Sequence, residues 1–198
     1  MDQRPPIPTR EDPFVKKIVL TFGLIAGAIL SAAMIVALQF KEEIGFDNSA
    51  FVGYTSMVLA FLLIYFGIRT YRENVAGGTI SFGRAFKVGA LIALVASCCY
   101  VATWEVIYFN FAPEYLTEYQ AHIMENARAD GETEAQIAER KADMDRLAVY
   151  YQNPIINAAI TFIEPLPVGL IIALVSAGVL SRRRSDDHGQ LHRQILNS

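Results

Sequence analysis

Glu105 and Glu164 are each the single charged residue in a long apolar run of this 198-residue chain. A charge near the centre of a bilayer costs at least about 2.5 kcal/mol even on insertion scales, so such a group is kept neutral, paired or in a wet cavity. Glu164 stands nine residues into its run, which is roughly 14 Å at the helical rise and close to a bilayer midplane. Glu105 lies six residues before Phe111, about 9 Å from that boundary. Asn157, Thr161 and Glu164, spaced by four and three, fall on one helix face, and Trp104 and Tyr108 flank Glu105. These six residues are the candidate intramembrane polar site.

Backbone chemistry marks the same place. Pro165 and Pro167 have no amide donor, which frees the carbonyls of Thr161 and Ile163, and each pushes its preceding residue out of helical geometry. A kink or short break is expected there, and it is tolerated at membrane depth only where protein or a water-filled cavity satisfies it. Two readings stay open. Glu164 is either a neutral acid bonded to a facing helix or, with Glu105, part of a site for a solute or proton. Polar groups crowd one half of the membrane, including Gln39, Tyr54, Thr55 and Ser56, while the other half offers mainly Thr21, Ser97 and Ser176. That distribution suits a pocket open to one side better than a pore or relay.

The elements that position these residues are four apolar runs, about 18–40, 51–68, 88–111 and 155–180, each near the 20 residues of helix a bilayer requires. The expected fold is therefore all-α, an integral membrane four-helix bundle with an extracytoplasmic helical hairpin between spans 3 and 4. A cleaved signal peptide is the alternative for the first run, but the apolar stretch continues through Phe40. Basic residues orient the spans. Lys16 and Lys17 precede the first, Arg69, Arg72, Arg84 and Lys87 lie between the second and third, and Arg182, Arg183 and Arg184 follow the fourth. Both termini and the loop carrying Gly77-Gly78 are then expected in the cytoplasm. The loop 112–154 holds four basic residues against nine acidic ones and is expected outside. The arginines sit where topology requires them, so no nucleic-acid partner is implied.

Residues 1–14 read as a flexible arm, 15–184 as one membrane domain and 185–198 as a polar tail. Within 112–154, Pro113 to about Arg128 and Thr133 to about Gln152 read as two helices around Asp130-Gly131, with a capping box between Thr133 and Gln136 and a stop at Asn153-Pro154. Apolar stripes (Tyr115, Leu116, Tyr119 and Ile123 on one arm, Ile137, Met144, Leu147 and Tyr151 on the other) are expected to pack on each other or on the membrane surface. Ser81 is the expected cap of the third span. Small residues four apart, Gly23, Gly27 and Ser31, then Gly89, Ala93 and Ser97, then Gly169, Ala173 and Ala177, allow close helix approach within the chain and leave the homo-oligomeric state open. Trp104, Tyr108, Phe111, Tyr54 and Tyr150 are expected at one membrane interface, Tyr65 and Tyr71 at the other.

No reaction is legible. Cys98 and Cys99 are adjacent on a helix, diverge, and read as packing residues. His188 and His192, four apart in a polar tail, read as solvated. No catalytic residue, metal or cofactor is expected, because no nucleophile motif, ligand spacing or phosphate-cradling loop occurs.

The stretch Ile68-Arg69-Thr70-Tyr71-Arg72-Glu73-Asn74, followed by Gly77-Gly78-Thr79-Ile80-Ser81-Phe82-Gly83-Arg84-Ala85-Phe86-Lys87-Val88-Gly89, resembles the middle of the bacterial membrane proteins grouped as domain of unknown function 4199. Thr161-Phe162-Ile163-Glu164-Pro165-Leu166-Pro167-Val168-Gly169-Leu170 is similar to that family's last span, and the likeness runs from about Val15 to Arg184. The resemblance implies a four-span protein of the bacterial cytoplasmic membrane and no particular activity. The expected role is a structural or accessory membrane component, not an enzyme, embedded in lipid and with a membrane protein as the partner to seek. The alternative is a small carrier or ligand sensor with an outward pocket around Glu105 and Glu164.

Overall fold

A computed structural model describes residues 13–181. Residues 1–12 of the expected arm and the expected tail, with Arg182 to Arg184, His188 and His192, lie outside the described residues, while Pro13 and Phe14 of the arm open α1. Those residues form seven helices and no strand: α1 (Pro13–Gln39), α2 (Lys41–Asn74), α3 (Phe82–Asn110), α4 (Tyr115–Ala129), α5 (Glu134–Tyr151), α6 (Pro154–Phe162) and α7 (Pro165–Leu180). Four stretches are long and apolar enough to cross a membrane: α1, α2, α3, and α6 with α7 together.

Small residues bring the spans together. A methyl group built at Gly23 would lie 2.7 Å from the Val95 side chain, and one at Gly27 would lie 2.6 Å from Cys99. One turn further, Ser31 and Thr103 share a hydrogen bond of 2.7 Å, so α1 and α3 run parallel in close contact. On the other side of α3, Gly89 meets Ala173 and Ala93 meets Gly169, which fixes α7 antiparallel to it. α2 fills the remaining corner with Met57, Phe61, Ile64 and Ile68, all almost wholly buried. Lipid offers no hydrophobic drive between helices, so this close approach, with the dispersion contacts it allows, holds the bundle together.

A second set of large apolar side chains points the other way. Leu24, Leu59, Leu62, Ile171, Leu174 and Val175 are all exposed along the spans. A soluble protein rarely carries so continuous an apolar surface. Small residues at the helix contacts and a continuous apolar outer flank describe a helical membrane protein.

The connections at the two ends differ. At one end Gly77 and Gly78, with φ of 66° and 87°, turn the chain from α2 into α3, positions that favour glycine because a Cβ strains the left-handed region. Ser81 occupies the N-cap position of α3 with extended backbone, but its hydroxyl makes no capping bond. At the opposite end α4 and α5 form the hairpin. Thr133 caps α5 in a full capping box with Gln136, and Gly131 turns the chain with φ of 81°. Asn153 then caps α6, its carboxamide oxygen accepting from Ile155 and Ile156 amides, with Pro154 at the first helical position.

Two expectations need correction. Residues 41–50, which separate the first two expected spans, belong to α2, bent at Gly45 with φ of 71°. The bend lets Phe46 drop among the rings of Tyr115, Tyr119 and His122, so the segment gains packing a free loop would lack. Trp104 and Tyr108, read as interface aromatics, are buried because the hairpin covers the end of α3, and Tyr71 is likewise in the core. Phe111, Tyr54 and Tyr150 are exposed. The hairpin stripes divide their work. Ile123 and Met144 pack about Met124, Ala127 and Ile137, while Tyr115, Leu116 and Tyr151 cap Met34, Trp104 and Tyr108. Leu147 stays exposed.

Candidate functional site

Tyr100, Trp104 and Tyr108 are spaced by four on α3 and therefore share a face. The end of α5 and the broken helix α6–α7 supply the groups opposite. Tyr100 donates its hydroxyl to Glu164 Oε2 at 2.9 Å. Trp104 donates its indole N–H to the Tyr151 hydroxyl at 3.0 Å. Asn157 Nδ2 donates to the Tyr151 carbonyl at 3.2 Å, and Thr161 Oγ1 donates to Asn157 Oδ1 at 3.2 Å. Asn157 is 0% exposed and has both ends of its amide engaged, as a buried amide must to avoid a desolvation penalty. The ring of Tyr115 stands edge-on to Trp104 at 5.2 Å, and that of Tyr151 edge-on to Tyr108 at 5.1 Å.

Burial, with the Glu164 carboxyl adding to it, pushes the Tyr115 phenol up to about 12. Burial raises Tyr151 as well; Glu164 and Glu105 add to the rise, while hydrogen bonds with Thr161 and Trp104 oppose it. Both phenols therefore keep their protons at neutral pH.

The expected break is present. α6 ends at Phe162 and α7 begins at Pro165, with Glu164 at the N-cap position. The Ile163 and Glu164 amides turn back to the Ile160 and Thr161 carbonyls at 3.0 and 3.3 Å. The Thr161 carbonyl freed by Pro165 is thus satisfied within the chain. The break also releases the Glu164 side chain from the line of α6 and delivers it to Tyr100.

Of the six candidate residues, Trp104, Asn157, Thr161 and Tyr108 meet around Tyr151, and Glu164 joins through Tyr100 on the neighbouring turn of α3. Glu105 is placed differently. Following Trp104 by one residue, it points about 100° away round the helix. One of its carboxyl oxygens, Oε1, is buried without a partner, although the group lies near enough to raise Tyr151. Sequence reasoning passed over Tyr100 as a ligand of Glu164 and assigned Tyr151 only to an apolar stripe; the spacing of Tyr100, Trp104 and Tyr108 was the available signal. Among the described residues, no group of three or more His, Cys, Asp or Glu is placed to hold a metal.

At the other end, Arg72 reaches from α2 to the Leu180 carbonyl at the end of α7 at 3.4 Å, and Arg69 pairs with Glu73 at 2.8 Å. Arg84 and Lys87 lie in the first turns of α3, just past Gly77 and Gly78. These loop residues stand the length of the bundle away from the Tyr151 network.

The model of a family described as protein of unknown function, DUF4199, matches residues 21–182. The chain belongs to this family. The matched region encloses all of the polar network, the hairpin and nearly all of the four spans. No curated protein and no solved structure matches the chain.

Proposed function

We propose that this member of the family is a structural or accessory component of the bacterial cytoplasmic membrane, without catalytic activity of its own. The observation that carries the reading is that four polar pairs join one helix to another: Tyr100 with Glu164, Trp104 with Tyr151, Asn157 with the Tyr151 carbonyl, and Ser31 with Thr103. Such pairs act as glue between helices and hold the hairpin on the bundle. In this reading the product of the fold is a rigidly mounted, strongly acidic hairpin on one side of the membrane, offered to a membrane protein partner.

The proposed topology places both termini and the Gly77-Gly78 loop in the cytoplasm and the hairpin outside. Arg84 supports it. It stands in the first turn of α3, where the helix dipole favours an anion, so helix stability does not account for it and sidedness does. Reporter fusions after Asn74, Gly131 and Ser198 test this; an external Asn74 or Ser198 overturns it. For the role itself, the full chain is captured from gently solubilised membranes and its companions are quantified. A stoichiometric membrane protein, released when the hairpin acids Glu139, Asp143 and Asp145 are changed together to their amides, is the expected result. A chain that emerges alone overturns it.

The second reading, a small carrier or sensor, is favoured by one observation, the unpartnered Oε1 of Glu105. Solute- or proton-driven flux into vesicles carrying the chain, abolished by Glu105→Gln, would replace the first reading with this one.

A further inference from the structure

At the hairpin end, with Tyr115 between it and Trp104, a cavity of about 580 Å³ opens between the C-termini of α1 and α3 and the start of α4. Its floor is apolar, formed by Ile35 and Leu38 of α1 with Ile107 and Phe111 at the end of α3. Ile35 is 46% and Phe111 77% exposed, so the floor runs out onto the lipid-facing flank of the bundle. The rim is charged, with Lys41, Glu114 and Glu118 beside the Gln39 amide. An apolar floor below a charged rim, at the level where the spans meet water, has the shape of an amphiphile.

The charges select its head. Two carboxylates against one ammonium leave the rim with an excess negative charge. The C-termini of α1 and α3, with no basic residue in their last turns, bring partly negative ends to the cavity, and the N-termini of α2 at Lys41 and of α4 at Tyr115 bring partly positive ones, so both signs of field are offered at the rim. An anionic head would be repelled, and a simple cation would leave Lys41 unused. A head carrying an ammonium and a phosphate answers both signs. Lys41 holds Glu118 at 2.6 Å, but this pair is solvent-exposed on both sides and therefore worth little, so a phosphate can take its place at small cost.

We propose that this cavity binds a glycerophospholipid with a primary-amine zwitterionic headgroup. The ammonium donates to Glu114 and Glu118, the phosphate lies beside Lys41, and the first acyl methylenes cover Ile35, Leu38, Ile107 and Phe111. A primary amine is specified because carboxylates accept N–H hydrogen bonds, which a quaternary ammonium does not donate. The inference rests on the cavity alone and holds whichever side of the membrane the hairpin occupies.

The full chain, delipidated in mild detergent, is mixed with acyl-matched phosphatidylethanolamine, phosphatidylcholine and phosphatidylglycerol, and retained lipid is counted by native mass spectrometry. The expected result is retention of phosphatidylethanolamine about tenfold stronger than of either competitor. Glu114→Gln with Glu118→Gln should reduce it to the phosphatidylcholine level. If that double variant does not fold, Glu114→Gln alone, which leaves the Lys41–Glu118 pair in place, should still narrow the preference, and Leu38→Trp should block the floor. Equal retention of all three lipids means annular lipid only and overturns the proposal. So does an undiminished preference in the glutamine variants, or displacement by soluble phosphoethanolamine as effective as by the lipid, which would make the ligand a free amine.

Discussion

The indole N–H of Trp104, on the third span, is bonded to the hydroxyl of Tyr151, the last residue of the hairpin's second arm, at 3.0 Å. Two elements separated by 47 positions in the chain are thereby joined where the hairpin meets the bundle. Trp104 is the only tryptophan in the sequence, so the contact reports on itself. Tyr151→Phe leaves a buried N–H without an acceptor and should cost about 1 to 3 kcal/mol of stability in detergent, with a shift in tryptophan emission. Tyr150→Phe, at an exposed neighbour, should change neither. Unaltered emission and stability in Tyr151→Phe would remove the bond from the account of how the hairpin is held.

Glu164 answers a different question, whether its acid is needed or only its shape. Glu164→Gln keeps an acceptor for Tyr100 and should leave stability nearly unchanged, whereas Glu164→Leu strands the Tyr100 hydroxyl and should cost about 1 to 3 kcal/mol. Adding Tyr100→Phe to Glu164→Leu should recover much of that loss, because two apolar partners leave nothing unsatisfied. Additive losses in the double variant would mean that the two side chains are not coupled. Infrared difference spectroscopy on the wild type should find the Glu164 carboxyl band of a protonated acid at neutral pH; a carboxylate band there would point to an ion-paired or wet site instead.

What could be read from the sequence was what local chemistry dictates. Pro165 lacks a donor wherever it sits, so the break before it was visible in the chain, as was the capping box between Thr133 and Gln136. The small-residue stripes were equally legible, since glycine four residues from glycine has the same meaning on any membrane helix. Partnerships across the fold were not. Nothing in the run around Tyr100 says which acid its hydroxyl meets, and an aromatic-belt rule puts Trp104 and Tyr108 at the interface because it cannot know that a hairpin covers them. The segment 41–50 lies between apolar runs, so run length alone does not place it in a helix; Gly45 lets the helix bend and Phe46 finds three rings on α4.

Helix contact through glycine makes a steric prediction. At Gly169 a methyl group would meet the Ala93 methyl at 2.7 Å and the Phe61 ring at 3.1 Å, and neither neighbour has a flexible end to swing aside. Gly169→Ala should therefore force α7 from α3 and cost about 1 to 3 kcal/mol, the usual range for overpacking. Gly53 on α2 has open space around its Cβ position, and Gly53→Ala should gain up to about 1 kcal/mol from helix propensity. Detergent denaturation of the two variants side by side checks the sign of each. Equal behaviour would mean that the spans can part at Gly169 without loss.

The corner before the second span carries a pH-dependent tether. Asp47 Oδ1 lies 2.9 Å from His122 Nε2 and accepts from Asn126 at 3.2 Å, which links α2 to the first arm of the hairpin. The hydrogen bond with His122, then that from Asn126, hold the Asp47 carboxyl below its ordinary value of 3.8. Because the folded value is the lower one, the contribution is fully present above the unfolded value and is lost as pH falls through the folded value. It follows that Asp47→Ala should loosen the corner at pH 7, and that wild type and variant should converge as pH drops below the usual aspartate range. Amide exchange of residues 46–49 and 122–126 reads this locally, without requiring global unfolding. A difference between the two proteins that stays constant down to strongly acid pH would mean that Asp47 acts at this corner through packing and not through its charge.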